Sequence, residues 1–276
     1  MTSPEEQRAP AAAKVRRVLR DTFGLWPMHE AKNKVLMGRR VPALRRFENA
    51  EVERLRPLMG ALPAAKVATV IPTYRRPLLL TAAVESALAQ TVTDQVVVVV
   101  DDGTGDLPTL PDDPRLRAVS LSRNSKVAGV VRNVGIRTTR SEYIAFLDDD
   151  NTWRPDHLAL AIAALETGPD VVYTAVERRR DGELVDVLSE PFRPDTFRDG
   201  PPYVDTNAIV VRRAPDVLFS RIPRTRATMP VEDWELVNRL SRTREIRHVP
   251  EPTVRYLIHA DSYYSAWNEG DAAPTS

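Results

Sequence analysis

The amino-acid sequence predicts an α/β fold in which a mostly parallel sheet is flanked by helices and preceded by a helical N-terminal extension. Two observations predict this fold. From Lys66 onwards, short apolar runs alternate with segments whose apolar residues recur at helical spacing. One run, residues 95–100, contains five consecutive valines, and a strand that is apolar on both faces belongs in the middle of a sheet covered by helices. In such sheets, ligands bind beyond the carboxyl ends of the strands.

Local signals set the individual elements. The β-rich run at 66–71 stops at Pro72, and Pro77 opens the first helix of the sheet region. Strands are predicted at 66–71, 95–100, 116–121, 142–147, 170–176, 184–188, 208–211 and 254–258. Helices are predicted at 77–90, 126–137, 155–165 and 232–240, and a loop at 191–202.

Charge is distributed unevenly along the chain. Residues 1–66 carry 14 Lys and Arg against 7 Asp and Glu, whereas residues 67–276 carry 25 against 31. Apolar residues at helical spacing in 15–23, with arginines between them, predict a basic amphipathic helix, and a second helical stretch covers 43–59. The basic helix suits an anionic membrane surface, or packing on the main domain or on a partner subunit. Residues 14–60 are therefore candidates for peripheral membrane contact or homo-oligomer formation.

We divide the chain into three parts on this basis. They are a basic helical extension (1–65), the main domain (66–262) and a C-terminal tail (263–276).

The composition excludes several classes of protein. Lys and Arg number 39 against 38 Asp and Glu, so the net charge of +1 provides no chain-wide basic field for binding nucleic acid. The absence of cysteine excludes disulfides, thiolate nucleophiles and cysteine-based metal sites. The longest apolar run, 158–165, is too short to span a bilayer, and residues 1–14 contain no signal-peptide core. These features predict a cytoplasmic protein that acts on small molecules, possible membrane contact being limited to the inner face.

Two clusters of carboxylates follow predicted strands. Asp101 and Asp102 come directly after the valine run, and residues 148–150 are three consecutive aspartates after the fourth strand. Adjacent carboxylates repel one another unless a cation or hydrogen-bond donors compensate. Oxygen ligands at close spacing suit Mg²⁺ or Mn²⁺ together with substrate phosphates. The alternative is that these acids cap the next helix. That helix begins only at Pro155, so a cap at Asn151 or Thr152 would leave the three aspartates unexplained.

Other nucleotide and phosphate motifs do not fit. No P-loop sequence occurs, and Gly103-Thr104-Gly105 lacks the third glycine of a dinucleotide-binding turn. Residues 148–152 match the D-x-D-x-T nucleophile loop of haloacid-dehalogenase-like phosphatases. That loop should follow the first strand of the core, whereas here it follows the fourth.

Four runs together resemble the family-2 nucleotide-sugar glycosyltransferases of the GT-A (Rossmann-like) fold. They are TVIPTYRR at 69–76, VDDGT at 100–104, RNVG at 132–135 and YIAFLDDDNTWRP at 143–155. The resemblance covers about residues 66–165 and is weak beyond them. It implies the GT-A fold and a nucleotide-sugar donor, with uridine favoured as the base.

The resemblance also implies roles for individual residues. Nucleotide binding is implied for Pro72, Thr73 and Tyr74 as walls of the nucleobase pocket, for Asp102 as a hydrogen-bond acceptor from the base, and for Arg132 beside the diphosphate. Taken without the resemblance, Asp102 is a turn residue and Arg132 a helix-surface arginine.

The three consecutive aspartates correspond to the DxD motif of that family. The resemblance implies that Asp150 is the direct ligand of Mn²⁺ or Mg²⁺, assisted by Asp148, and that Asp149 lies nearer the ribose or a metal-bound water. His259 resembles a late histidine that in some relatives reaches the metal or the diphosphate.

Asp233 is the candidate catalytic base. The family places this base in a Glu-Asp pair near a helix start, which Glu232 and Asp233 match, although an acid there also simply stabilises the helix dipole. Residues 220–229, with three arginines, are a candidate lid or an exposed loop. The resemblance therefore implies a metal-dependent, inverting transfer of a sugar from a nucleoside diphosphate to an acceptor hydroxyl. The alternatives are a non-catalytic sugar-nucleotide-binding subunit and a D-x-D-x-T phosphatase.

Overall fold

The protein is described by a computed structural model for residues 18, 22–60, 62–200, 202–224 and 231–258. The strands are β1 (Ala65–Thr73), β2 (Gln95–Asp101), β3 (Leu116–Ser120), β4 (Ser141–Phe146), β5 (Thr152–Trp153), β6 (Val171–Arg180), β7 (Glu183–Leu188), β8 (Ile209–Arg212) and β9 (Ile246–Leu257). The helices are α1 (Leu25–Met37), α2 (Val41–Met59), α3 (Pro77–Leu88), α4 (Ala128–Thr138), α5 (His157–Leu165), α6 (Pro194–Asp199) and α7 (Glu232–Leu240). Short 3₁₀ turns occupy Gly38–Arg40 and Thr206–Ala208.

The described strands form one sheet in the order β3-β2-β1-β4-β8-β6-β9-β5, with β7 paired to β6. Strands β3, β2, β1 and β4 are mutually parallel. Every residue of the valine-rich β2 is buried. Helix α4 packs closely on β1, because a Cβ at Gly135 would lie 2.5 Å from Cγ1 of Val70. The predicted α/β fold is therefore confirmed, and its parallel half is the part that the valine run predicted.

The other half makes the sheet mixed. Strand β8 is antiparallel to β4 and β6, while β6 is parallel to β9 and antiparallel to β7. The sheet is thus less parallel than the sequence predicted. The reason is that short returning strands such as β8 carry no signal of direction in their residue pattern.

Three further differences from the predicted elements have physical reasons. The six-residue α6, which lies within the predicted loop 191–202, is too short for a helical repeat and is fixed by the burial of Phe197. Strand β9 begins at Ile246 rather than 254; the sequence pattern misses residues 246–253, because most of them are only partly buried or exposed and two of them are prolines. Helix α1 is not predicted from the spacing of apolar residues, because the residues that it buries are the polar Glu30 and Asn33.

Helix α2 shares a core with the sheet. Its residues Val52, Leu55 and Met59 pack in one cluster with Val98 of β2 and Val134 of α4. The predicted basic helix at 15–23 lies mostly outside the described residues. No helix in the described ranges combines the length and apolar character needed to cross a bilayer.

Candidate active site

The carboxyl ends of β1, β2 and β4 meet at one edge of the sheet. Thr73, the last residue of β1, pairs with Asp101 of β2. On the other side of β1, the amide of Leu147 donates to the carbonyl of Val70 at 3.2 Å, so residues 148–150 leave the sheet beside Thr73. The register thus brings the two carboxylate clusters to the same edge.

Within the described residues, two clefts open at this edge, one of about 560 Å³ and one of about 280 Å³. They share a wall that consists of Lys126, Val127, Ala128, Arg132 and Asp148. The larger cleft is lined by every residue predicted to bind nucleotide, namely Pro72, Thr73, Tyr74, Asp102, Arg132 and Asp149, and also by Asp148 and Asp150. The smaller cleft is lined by Asp233. His259 lies outside the described residues.

Asp102 ties the larger cleft to the loop before α4. Its Oδ1 accepts the amide of Ser125 at 2.7 Å, and its Oδ2 accepts the amide of Lys126 at 3.2 Å. Burial raises the pKa of Asp102 above its ordinary value. Each carboxylate oxygen can accept more than one hydrogen bond, so these contacts are compatible with the predicted contact to a base.

Arg76, for which the sequence pattern indicated no role, contacts two of the three aspartates. Arg76 Nη1 lies 3.2 Å from Asp149 Oδ1 and 2.6 Å from Asp150 Oδ2. Thr73 Oγ1 donates to Asp149 Oδ2 at 2.7 Å. Burial raises the pKa of Asp149 to about 6, against these contacts, which favour its ionised form. No spacing rule could have revealed this arginine, because its partners lie more than 70 positions further along the chain.

Arg132 joins the two clefts. Its guanidinium donates to Asp148 and to Glu232, and it lies over the ring of Phe219 with 5.0 Å between Cζ and the ring centroid. The side chain is buried. Arg132 therefore links the three-aspartate segment after β4 to the first turn of α7, while it also borders both clefts.

Asp148 is oriented by a second contact that the sequence did not reveal. Its amide donates to Asn207 Oδ1 at 2.6 Å. The Nδ2 of Asn207 donates to Asp205 at 2.7 Å, and the amide of Asn207 donates to the same oxygen at 2.8 Å. Burial and the charge of Asp148 raise the pKa of Asp205 to about 6.

Asp233 has a strongly perturbed environment. Its Oδ1 accepts the amide of Trp234 at 2.7 Å, and Thr206 Oγ1 lies 3.5 Å from its Oδ2. Desolvation, together with the negative charge of Asp205, raises the pKa of Asp233 to about 7. A group with this pKa exchanges protons near neutral pH, which is the property required of a general acid or base.

The ligand atoms of the aspartates after β4 are of the type that a hard divalent cation prefers, because they are all carboxylate oxygens. In the part of the chain that the structure describes, however, no group of three or more Asp, Glu or His side chains is arranged to hold a metal ion. Among the described residues, Arg76 pairs with Asp149 and Asp150, and Arg132 pairs with Asp148. Metal binding at Asp150 would therefore require Arg76 to move aside or to share its partners.

Comparison with known sequences identifies the family. The model of "Glycosyl transferase family 2" matches residues 69–221, more than half of the chain. The chain belongs to glycosyl transferase family 2. The match includes the three-aspartate segment and Arg132, and it ends before Asp233.

Among curated relatives, the succinoglycan biosynthesis protein ExoO of Rhizobium meliloti is 43% identical over 96 residues, which are 33% of this chain and 27% of ExoO. ExoW of the same organism is 35% identical over 109 residues, 37% of this chain and 34% of ExoW. The matched segment thus spans about a third or less of either relative.

Solved structures share the fold. S. aureus TarS 1-349 in complex with UDP-GlcNAc has a TM-score of 0.56 at 19% identity, covering 74% of this chain and 61% of that one. Mannosyltransferase PcManGT from Pyrobaculum calidifontis, in complex with GDP-Man and Mn²⁺, has a TM-score of 0.51 at 15% identity, covering 84% and 71%. The GT-A fold expected from the sequence is confirmed.

Proposed function

We propose that this chain transfers a sugar from a nucleoside diphosphate sugar to an acceptor hydroxyl, with the donor in the larger cleft and the acceptor in the smaller one. The observation that carries the proposal is the position of Asp233. Its carboxyl group, with a pKa raised to about 7, borders the smaller cleft, which shares the wall of Arg132 and Asp148 with the larger cleft. A base and a diphosphate site would then lie on either side of the reacting sugar.

The proposed reaction inverts the anomeric carbon. The acceptor oxygen bonds to that carbon as its bond to the phosphate oxygen breaks, and the hydroxyl proton passes to Asp233. The diphosphate leaves with the bonding electrons. Adjoining clefts support attack from the face opposite the leaving group, as an inverting transfer requires.

A divalent cation, Mg²⁺ or Mn²⁺, is part of the proposal. When bound, such an ion stabilises the negative charge of the departing diphosphate. We assign Asp150 and Asp148 as its ligands and Asp149 to the ribose or a metal-bound water, with His259 as a further candidate ligand. The mannosyltransferase PcManGT, a structural neighbour, was solved with Mn²⁺, which supports testing this ion first.

The nucleobase and the sugar of the donor, and the identity of the acceptor, can be determined by direct screening. The TarS complex with UDP-GlcNAc supports starting from uridine nucleotides. Cytoplasmic location and contact with a membrane or a second copy through residues 14–60 stay predictions.

The decisive experiment compares wild type with Asp233→Asn. Release of nucleoside diphosphate from a panel of sugar nucleotides is measured with Mn²⁺ and glycoside acceptors. We expect Asp233→Asn to lower kcat by at least about a hundredfold while the Kd for UDP with Mn²⁺ changes little. Asp195→Asn is the matched control, because Asp195 also lies in the first turn of a helix but is 97% exposed.

Full turnover by Asp233→Asn would disprove the assigned base. Donor binding by the wild type without turnover on any acceptor would favour the non-catalytic alternative. Metal-dependent phosphate release from simple esters would favour the phosphatase.

A further inference from the structure

Two acids of the N-terminal helices hold a loop beside the smaller cleft. The loop is defined as residues 219–224, which lie in the described segment that follows β8. Arg221 donates from Nε to Glu48 Oε2 and from Nη2 to Glu48 Oε1, both at 2.6 Å. Arg224 Nη2 donates to Glu30 Oε2 at 2.7 Å. Glu30 belongs to α1 and Glu48 to α2, both of which precede the family match at residue 69.

Both contacts are shielded from water. Glu48 is 0% exposed and Glu30 is 5% exposed, and the side chain of Arg224 is 9% exposed. Ion pairs at the surface contribute little and form readily in many geometries, whereas a buried carboxylate that loses its cation is strongly unfavourable. The two acids therefore fix the positions of their arginines.

The loop is also fastened to α4 beneath it. Asn133 bonds the backbone of Phe219 twice, through Oδ1 to its amide at 2.7 Å and through Nδ2 to its carbonyl at 3.0 Å. A Cβ at Gly129 would lie 2.3 Å from the carbonyl oxygen of Ser220, so only glycine allows this approach. The ring of Phe219 in turn lies against Arg132, the arginine of the shared wall.

Within residues 219–224, Arg224 alone lines the smaller cleft, together with Asp233 and Glu232. It does not line the larger cleft. Guanidinium donors beside carboxylate acceptors form a surface suited to hydroxyl groups, each of which donates and accepts hydrogen bonds. Such a surface fits a hydroxyl-rich acceptor better than an apolar one.

We propose that Arg224 contacts the acceptor and that Glu30 is a positioning residue that holds Arg224 in the smaller cleft. Helices α1 and α2 then complete the acceptor half of the site. This proposal rests on the proposed function. It assigns to residues 22–60 a task different from attachment to a membrane or a second copy.

The test uses Glu30→Gln in the full chain, with Glu53→Gln as the control. Glu53 lies on α2 and pairs with Arg56, but its side chain is 66% exposed. The donor side is read as the Kd for UDP with Mn²⁺. The acceptor side is read as the KM for the p-nitrophenyl glycoside that wild type uses best, and hydrogen exchange is followed at residues 219–224.

We expect Glu30→Gln to raise the acceptor KM about tenfold or more, to leave the Kd for UDP within about twofold, and to speed exchange at 219–224. Glu30→Asp should restore part of the acceptor KM, because it keeps the charge. Glu53→Gln should behave as wild type. If Glu30→Gln does not fold, Arg224→Gln is measured in its place and carries the same expectation for the acceptor KM.

An unchanged acceptor KM in a folded variant would overturn the proposal, as would equal losses on the donor and acceptor sides. A wild type without turnover on any acceptor would instead overturn the proposed function. The two failures are thus distinguished by the wild-type assay alone.

Discussion

Arg76 Nη1 lies 2.6 Å from Asp150 Oδ2, so the aspartate predicted to bind the metal already has a cation as its partner. This relationship leads to a prediction about Mn²⁺ alone. Arg76→Gln removes that cation, and the uncompensated carboxylates should attract a divalent ion more strongly. We expect the Kd for Mn²⁺, measured by calorimetry without nucleotide, to fall by about three- to tenfold. Arg75→Gln, at the neighbouring position, is the control, and a weaker affinity in Arg76→Gln would show that Arg76 assists the metal.

The pH dependence of transfer should reveal Asp233. A base must be deprotonated to accept the acceptor proton, so kcat/KM should rise with pH and level off above the pKa of about 7. Because the charge of Asp205 contributes to raising this pKa, Asp205→Asn should move the rising limb of the kcat/KM profile to lower pH, by about half to one unit. Asp186→Asn, on the exposed β7, is the control. A limb that stays in place in Asp205→Asn would contradict the coupling of the two carboxyl groups.

Ionisation of Asp233 should also lower the stability of the folded protein at alkaline pH. Its pKa is higher in the folded protein than in the unfolded chain, so the folded state binds more protons between about pH 4 and pH 7. Stability from this group is therefore lost as pH rises through that window. Asp233→Asn should raise Tm at pH 8 by about 2–4 °C for each kcal/mol recovered and change it much less at pH 4.5. Thermal unfolding at the two pH values, with Asp195→Asn as reference, measures the difference, and a variant less stable at pH 8 would contradict it.

Arg132 should not tolerate replacement by lysine. Its planar guanidinium reaches Asp148 and Glu232 together, whereas one ammonium cannot reproduce both contacts. We expect Arg132→Lys to lower stability by about 1–3 kcal/mol and to reduce kcat, since both α7 and the three-aspartate segment lose a common partner. Arg212→Lys, in an exposed pair with Glu142, should change neither. Differential scanning calorimetry and initial rates check the two expectations.

The extent of what the sequence could predict follows from how local each signal is. The buried β2 and the acids after β2 and β4 could be predicted, because a run of consecutive residues indicates both that a strand is buried and where it ends. The contacts of Arg76 and Asn207 could not be predicted, because their partners lie far away in sequence. Helix α1 could not be predicted for another reason. It buries Glu30, and an acidic residue is expected at the surface unless its pairing with an arginine, here Arg224, is known.

The packing of α2 on the valine face of the sheet has a practical consequence for work with shortened versions of this protein. Cutting the chain at the start of the family match, residue 69, would remove Val52 and Leu55 and leave Val98 without its cover. Exposed β-branched surface of this kind promotes aggregation. An expression boundary chosen from sequence homology would therefore yield insoluble material, whereas one upstream of residue 22 would keep Val52 and Leu55 packed with Val98.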